Sequence, residues 1–198
     1  YDGTNTAIVS NWGTVATGVG TETIVLNNGA AATFIDENVG QNKLVVATGY
    51  SLSDGTGLSA NYSVNAAAAL ANITKKDLTI DGLVAADKTY DGVTTATITS
   101  IGTLAGLVTG ETLGVTGTAT FGTKDAGTGK TVTVGTYVLA DGSNGGVASN
   151  YSLTTTADTD TADIAKKDLT IDGLVAADKT YDGTNTAIVS NWGTVATG

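Results

Sequence analysis

Apolar and polar residues alternate along much of this chain, in short runs separated by glycine. The clearest runs are DLTIDGLV at 77–84 and TVTVGTYVL at 131–139. A period of two places alternate side chains on opposite faces of a sheet, so each run predicts a half-buried β-strand. Over the second half of the chain this pattern predicts strands at 77–84, 94–100, 110–121, 129–139, 149–156 and 160–165. The helix-like run AAAALA at 66–71 is too short to form a stable helix by itself.

The same pattern returns along the chain because the sequence repeats itself. KKDLTIDGLVAADKTYDG occurs without change at 75–92 and 166–183, and residues 1–18 return unchanged at 181–198. The tripeptide Tyr-Asp-Gly begins at Tyr1, Tyr90 and Tyr181, which are 89 and 91 residues apart. Self-similarity at a fixed period is typical of arrays of one structural unit. We therefore expect the chain to be a window onto a longer array.

Alignment of the units predicts where each domain begins. Phe34, Lys43 and Tyr50 align with Phe121, Lys130 and Tyr137, while loop positions differ. Such retention of apolar anchors is expected when two copies share one core. We predict a domain at 1–74 that lacks its first strand, a complete domain at 75–165, and the N-terminal part of the next repeat at 166–198.

This division makes a prediction about isolated fragments. Residues 75–165 should fold alone as a soluble monomer. Residues 1–74 should be disordered or aggregated, or rescued only by a DLTIDGLVAADKT peptide, because a missing strand exposes apolar core and an unpaired edge.

Turns are predicted at the Asp-Gly pairs that begin at Asp81, Asp91 and Asp141. Asp hydrogen-bonds nearby backbone and Gly tolerates positive φ, so this pair favours tight turns. Tyr-Asp-Gly is thus interpreted as the end of a strand followed by a turn, with the Tyr ring buried at the domain edge. The spacing of strands and turns favours a β-sandwich.

Several ordered motifs resemble a known family. DLTIDGLVAADKTYDGTNTAIV, followed by DENVGQNKLVV and later by ANYSV and ANITKK, is similar to the YDG-domain repeat of large secreted bacterial proteins of the filamentous-haemagglutinin or adhesin kind. The resemblance covers essentially the whole chain. It implies an all-β chain of tandem Ig-like β-sandwich domains forming an elongated rod or fibre, at the cell surface or secreted. It implies no catalytic or ligand-binding residues.

The charge balance disfavours several classes of partner. The net charge is −10, with nineteen acidic and nine basic residues and no His. Nucleic acids and anionic membranes are bound through Lys and Arg, so neither is an expected partner. Cys is absent, and the longest apolar run has six residues, far short of the roughly 20 of a membrane helix. We expect no membrane insertion in this segment and no enzyme, because the usual catalytic His and Cys are missing.

Four sequence features imitate functional sites, and we expect no catalytic, cofactor-binding or metal-binding residue among them. GTGKT at 127–131 lacks the first glycine of a phosphate-binding loop. The remaining alternatives are two acidic groups that would bind Ca²⁺, three glycosylation sequons and a Lys isopeptide staple. The first acidic group is Asp158, Asp160 and Asp163, and the second is Asp77, Asp81 and Asp87. The sequons begin at Asn61, Asn72 and Asn150, and the staple would use Lys43 or Lys130.

Two non-enzymatic functions remain. The segment is either a spacer that projects a distal adhesive domain, or its repeats bind one another in a biofilm matrix or bind glycans. Trp12 and Trp192 occupy equivalent positions and the second unit has Ile101 there, so a Trp-based site would recur only in every second domain. Because Trp is more often core than a carbohydrate platform, the spacer is favoured. The expected partners are neighbouring repeats and other copies of the fibre.

Overall fold

A computed structural model describes residues 1–155 and 157–196. Within these residues the chain is all-β, as predicted, with no α-helix and two short 3₁₀ turns at Ser59–Asn61 and Ala148–Asn150. The run AAAALA lies mostly in a strand. In the described part, the strands are β1 Ile24–Asn27, β2 Ala31–Phe34, β3 Gly40–Thr48, β4 Ser51–Asp54, β5 Ala67–Ile73, β6 Lys76–Asp81, β7 Val84–Ala85, β8 Lys88–Thr89, β9 Thr95–Ala96, β10 Ile98–Ser100, β11 Thr103–Ala105, β12 Leu113–Phe121, β13 Gly127–Asp141, β14 Tyr151–Leu153, β15 Thr159–Ala165, β16 Thr170–Ala176 and β17 Val189–Ala196.

The predicted strands are found, with several differences in their bounds and one omission. The strand predicted at 77–84 is divided into β6 and β7 around Gly82, whose φ is +93°, and the strand predicted at 94–100 is divided into β9 and β10. Strand β11 was missed, since its three residues show too little alternation to signal a strand. The strand predicted at 149–156 is realised as β14, and Thr156 lies outside the described residues.

The chain divides into two compact units, each made of segments that are distant in sequence. Unit 1 contains 1–83, 100–118 and 134–158, and unit 2 contains 84–99, 119–133 and 159–198, of which 197 and 198 are not described. The domain boundaries expected from the repeats, at 74/75 and 165/166, remain predictions.

Unit 1 holds three small sheets. The antiparallel sheet β2-β3-β5 and the hairpin-like pair β1-β4 come from residues before 74, and the sheet β11-β6-β14 combines an antiparallel and a parallel pair. Ala32, Val45 and Ala47 form a core against which Trp12 and Tyr50 pack. Strand β6 buries Leu78 and Ile80 and exposes Asp77, Thr79 and Asp81, as its alternation predicts.

Unit 2 contains β8, β9 and β15 with residues 119–121 of β12 and 127–133 of β13. These strands form a sheet in the order β8-β15-β13-β12-β9, where β15 pairs antiparallel with β13 and parallel with β8. Its buried residues include Phe121, Val132 and Ile164. Strands β16 and β17 form a separate antiparallel pair in which every residue of β16 is exposed.

Candidate inter-repeat junction

Each Tyr-Asp-Gly tripeptide forms the turn that the sequence predicted. The Asp carboxylate accepts the amide of the residue two positions later, and the Gly adopts a positive φ that other residues rarely take. The amide-to-carboxylate distances are 2.9 Å for Thr4 to Asp2, 3.1 Å for Val93 to Asp91 and 3.0 Å for Thr184 to Asp182, and φ is +78°, +84° and +76° at Gly3, Gly92 and Gly183.

A lysine two residues before the Tyr closes this turn. Lys88 Nζ donates to Asp91 Oδ1 at 2.8 Å and to the carbonyls of Val93 and Thr95 at 2.8 and 3.0 Å. The ammonium lies 5.4 Å from the centre of the Phe121 ring. Its hydrogen bond lowers the pKa of Asp91 below the usual range. The identical sequence around Lys179 makes the same contact with Asp182.

The Tyr of the first turn makes a contact with the second repeat. We call residues 1–74, 75–165 and 166–198 the first, second and third repeats. Tyr1 Oη donates to Glu111 Oε1 at 2.6 Å, and Tyr151 Oη donates to Glu111 Oε2 at 2.7 Å. The two rings meet edge to face with centroids 5.4 Å apart. One carboxylate thus joins a Tyr from each of two repeats, all within unit 1.

Burial raises the pKa values of the two tyrosines at this carboxylate. It raises the pKa of Tyr1 to about 12, and the hydrogen bond to Glu111 acts in the same direction. Burial also raises the pKa of Tyr151, which is only 2% exposed. Both hydroxyls therefore stay protonated near neutral pH and can donate to the carboxylate.

Tyr151 is held by backbone as well. Its oxygen accepts the amide of Val108 at 3.1 Å, so this Tyr fills the core and hydrogen-bonds upstream backbone. Its strand β14 runs parallel to β6, with Tyr151 opposite Lys76 and Leu153 opposite Leu78. The parallel pair fixes Tyr151 relative to the first strand of its own repeat.

Asn150 makes a second link between the repeats. Its side chain is buried, its Oδ1 accepts the amide of Val39 at 2.9 Å, and its Nδ2 donates to Asn38 Oδ1 at 2.9 Å. A buried amide with both ends hydrogen-bonded is a specific contact, because breaking it leaves polar atoms unsatisfied. Glycosylation of Asn150 would require this residue to leave its site, whereas Asn61 and Asn72 are exposed.

The turn of the first repeat also packs tightly here. A Cβ added to Gly3 would lie 2.8 Å from Val108 Cγ1. Only a glycine allows this approach of the backbone to the second repeat. The junction therefore combines a carboxylate bridge, an amide bridge and a close apolar contact.

The first repeat contains the corresponding pair. Tyr62 Oη donates to Glu22 Oε2 at 2.5 Å, and this bond raises the pKa of Tyr62. Glu22 and Glu111 occupy equivalent positions, 89 residues apart. The alignment of the repeats contains this signal, but the junction role of Glu111 was missed by sequence reasoning.

Five of the six acidic residues considered for Ca²⁺ accept backbone amides. Asp158, Asp160 and Asp163 accept the backbone amides of Leu83, Ala85 and Gly129 at 3.2, 2.8 and 2.7 Å. Asp87 accepts the amide of Asp163, and Asp81 that of Gly82. In 1–155 and 157–196 no three acidic side chains are grouped in a way that would hold a metal ion.

The two lysines considered for a staple are engaged in other contacts. Lys43 Nζ forms an ion pair with Asp36, which lowers the pKa of that carboxyl, and donates to the carbonyl of Asn38 at 2.6 Å. Lys130 Nζ donates to Thr123 and to the carbonyl of Asp125. GTGKT lies in β13, so this segment is a strand and not a phosphate-binding loop. No helix of the described chain is long and apolar enough to cross a membrane.

Comparison with known proteins identifies the family. The family model described as the YDG domain matches residues 1–69 and 74–159, which are most of the chain. Searches of curated proteins and of solved structures return no match. The Tyr1–Glu111 and Asn150–Val39 contacts connect residues of the two matched segments. The chain belongs to the YDG domain family.

Proposed function

We propose that the chain is a non-enzymatic structural segment of a bacterial adhesin, a stalk or fibre at the cell surface or outside the cell. In this proposal tandem Ig-like sandwiches form an elongated rod that projects a distal adhesive domain. The supporting observation is the junction, in which Glu111 accepts hydrogen bonds from Tyr1 and Tyr151. A spacer must transmit position from one repeat to the next, and specific contacts between repeats restrict their relative motion better than a flexible linker.

The sequence of the repeats supports a length-setting role. Identical segments of 18 residues occur 91 residues apart, so the length of such an array changes by whole units. Aspartates spread along the chain give it the net charge of −10 that keeps an extended surface soluble and self-repelling.

Small-angle X-ray scattering and negative-stain imaging of the chain test the rod. We expect an elongated particle in the wild-type protein and a broader distribution of shapes for Glu111→Gln, because the weakened carboxylate bridge loosens the junction. Glu37→Gln is the matched control, since Glu37 is exposed and forms none of the junction hydrogen bonds. A compact wild-type particle would contradict the rod.

A second candidate function is binding by the repeats themselves. Trp192 is 76% exposed on β17, and an exposed Trp suits stacking on a sugar ring. Trp12 is half-buried and packs edge-on against Tyr50, with centroids 6.0 Å apart, which is the core role favoured above. Glycan-array binding that disappears in Trp192→Ala, and is retained in Trp12→Ala, would favour this function over the spacer.

A further inference from the structure

Three apolar side chains form a row across the sheet β2-β3-β5. Leu44 and Leu70 lie opposite each other in the register of β3 and β5. Ile35 follows the last residue of β2 and donates its amide to the carbonyl of Leu44 at 3.2 Å, which continues the antiparallel register by one residue. Directly opposite residues of antiparallel strands place their side chains together on one face. We call Ile35, Leu44 and Leu70 the apolar row.

The apolar row points away from the core. Val45, the neighbour of Leu44, is buried in the core, and successive residues of a strand point to opposite faces. Ile35 and Leu70 are each 64% exposed and Leu44 is 40% exposed. The row therefore presents apolar surface to solvent across all three strands.

The second repeat has a different chemistry at the same positions. The apolar row aligns with Gly122, Thr131 and Thr161. Gly122 donates its amide to the carbonyl of Thr131, and Thr131 lies opposite Thr161 in the register of β13 and β15. The backbone arrangement is thus the same in both repeats, and the apolar side chains belong to the first repeat alone.

The exchange is confined to the outward face. Inward positions of these strands are apolar in both repeats, and the aligned pairs are Phe34 and Phe121, Val45 and Val132, and Ile73 and Ile164. The second repeat forms its sheet with Gly and Thr outside, so the fold does not require an apolar row. The row is therefore available for a contact outside the domain.

The outward face stays open in the presence of neighbouring repeats. The second repeat has its first strand in place and contacts the first repeat at the junction, and its Gly122, Thr131 and Thr161 are exposed. The apolar row is exposed although the second repeat follows it in the chain. Exposure of this face thus depends neither on the first strand of the domain nor on a repeat before or after it.

We propose that the apolar row binds the apolar row of a second copy of this chain, face to face about a two-fold axis near Leu44. Such an isologous contact pairs the same surface of both copies and closes as a dimer. It goes beyond the proposed spacer role, which requires no contact between copies.

Charge favours a second copy as the occupant. Each copy carries a net charge of −10, so most approaches bring like charges together. The apolar row is uncharged, and the two charged residues beside it in sequence, Asp36 and Lys43, form an ion pair with each other. A contact through the row therefore buries apolar surface on both sides without placing unpaired carboxylates against each other.

The size of the face indicates a weak contact between two single chains. Val46 and Ala68 lie opposite each other in the next outward row. Strands about 4.8 Å apart, over about five residues that each rise about 3.4 Å, present roughly 240 Å², against about 800 Å² per partner in a standard interface. If the proposed fibre holds many repeats in line, each bound pair raises the effective concentration of the next, and two fibres associate laterally.

Single cysteines trap a weak contact, because the chain has no Cys of its own. Leu44→Cys places a thiol at the centre of the apolar row, and Thr131→Cys is the matched control at the equivalent position of the second repeat. Packed sheets lie about 10 Å apart, beyond the reach of a disulfide, so the reagent is a bis-maleimide with a spacer of about that length. Leu44→Cys should form cross-linked dimer at least about tenfold faster than Thr131→Cys.

A second set of variants tests whether the apolar row drives this dimer. Adding Ile35→Thr and Leu70→Thr to Leu44→Cys should reduce cross-linking to the level of Thr131→Cys, because the apolar surface is lost. The control adds Val25→Thr and Leu58→Thr, which remove exposed apolar side chains outside the sheet and should leave the rate unchanged. All the substituted positions are exposed, and circular dichroism checks that each variant is folded.

Three outcomes would overturn the proposal. The first is equal cross-linking of Leu44→Cys and Thr131→Cys, and the second is an excess that survives Ile35→Thr with Leu70→Thr. The third is binding of wild-type chain to neutral phosphatidylcholine vesicles without excess cross-linking, which would assign the row to a lipid surface. The scattering test of the rod uses single chains without cross-linker, so failure of the lateral contact is distinguishable from failure of the spacer.

Discussion

The sequence KKDLTIDGLVAADKTYDG supplies the first strand of the same kind of antiparallel hairpin twice in this protein, once buried and once exposed. In the second repeat Asp81 pairs with Thr103, and in the third repeat Asp172 pairs with Thr194 in the same register. Ile80 is 3% exposed, whereas Ile171 is 65% exposed. The hairpin is therefore specified by local sequence, and its burial depends on the strand that runs beside it.

A second pair of identical sequences shows that strand formation itself can depend on neighbouring strands. VSNWGTVA is strand β17 at 189–196, where β16 pairs with it, but the same residues at 9–16 form no strand. Alternating residues favour a strand without being sufficient for one, because an isolated strand leaves its backbone groups without partners. The difference between the copies is thus a difference in neighbours.

The largest expected effect comes from truncating the same residue in both hairpins. Ile80→Ala should lower the free energy of unfolding by about 2–5 kcal/mol, because it leaves a cavity in a packed core. Ile171→Ala should lower it by less than about 1 kcal/mol, since little apolar area is lost from an exposed site. Urea unfolding followed by circular dichroism at low protein concentration measures both. Equal losses would mean that the third hairpin is buried in solution.

The two Asn-Tyr-Ser tyrosines sharpen the comparison. Tyr151→Phe should cost about 1–3 kcal/mol, because Val108 N–H and Glu111 lose a buried hydrogen-bond partner. Tyr62→Phe should cost about 0.5–1 kcal/mol, since the single bond of Tyr62 to Glu22 is exposed to water. The same unfolding measurement applies. A larger loss for Tyr62 would show that its hydroxyl is covered in solution.

Two glycines with similar backbone conformations separate strain from contact. Gly3→Ala and Gly92→Ala each add the cost of a positive φ, about 1–2 kcal/mol. Gly3→Ala should cost about 1 kcal/mol more, because the new methyl group overpacks the contact with Val108. If the two variants melt alike, the contact between the Gly3 turn and Val108 is not formed.

The smallest expected effect depends on pH. The pKa of Tyr1 is raised from its ordinary value of 10.0 to about 12, so its contribution to stability is fully present below pH 10 and is lost as pH rises through 12. With allowance for solvent screening we expect this contribution to be below about 1 kcal/mol. The stability difference between wild type and Tyr1→Phe should therefore shrink between pH 10 and 12. A constant difference over that range would contradict the hydrogen bond to Glu111.

Much of the local structure could be predicted from the sequence, because it depends on local chemistry. The alternation of apolar and polar residues predicted β6, β12, β13 and β15. The Asp-Gly pair at Asp91 predicted the turn at which Gly92 has a positive φ. Local preference was enough wherever a strand and its turn are adjacent in the chain.

The contacts between distant segments could not be predicted in the same way. Strand β14 has three residues and pairs in parallel with β6, about 75 residues earlier. No periodicity encodes that choice of partner. Glu111 is an ordinary surface residue by sequence, and its role depends on Tyr1 lying 2.6 Å away. Both the strand pairing and the role of Glu111 follow from tertiary packing, which cannot be inferred from the pattern of apolar and polar residues along the chain.

The parallel pairs of the second repeat determine how the domain would respond to tension. Strand β6 pairs with β14, and β8 pairs with β15, so each pair joins an early strand to a late one. A pull on the chain draws the early strand toward its N-terminal end and the late strand toward its C-terminal end. In parallel strands these directions are opposed along a common axis, so the hydrogen bonds are loaded together in shear. They must then break collectively, unlike those of a hairpin, which open one after another as a zipper does.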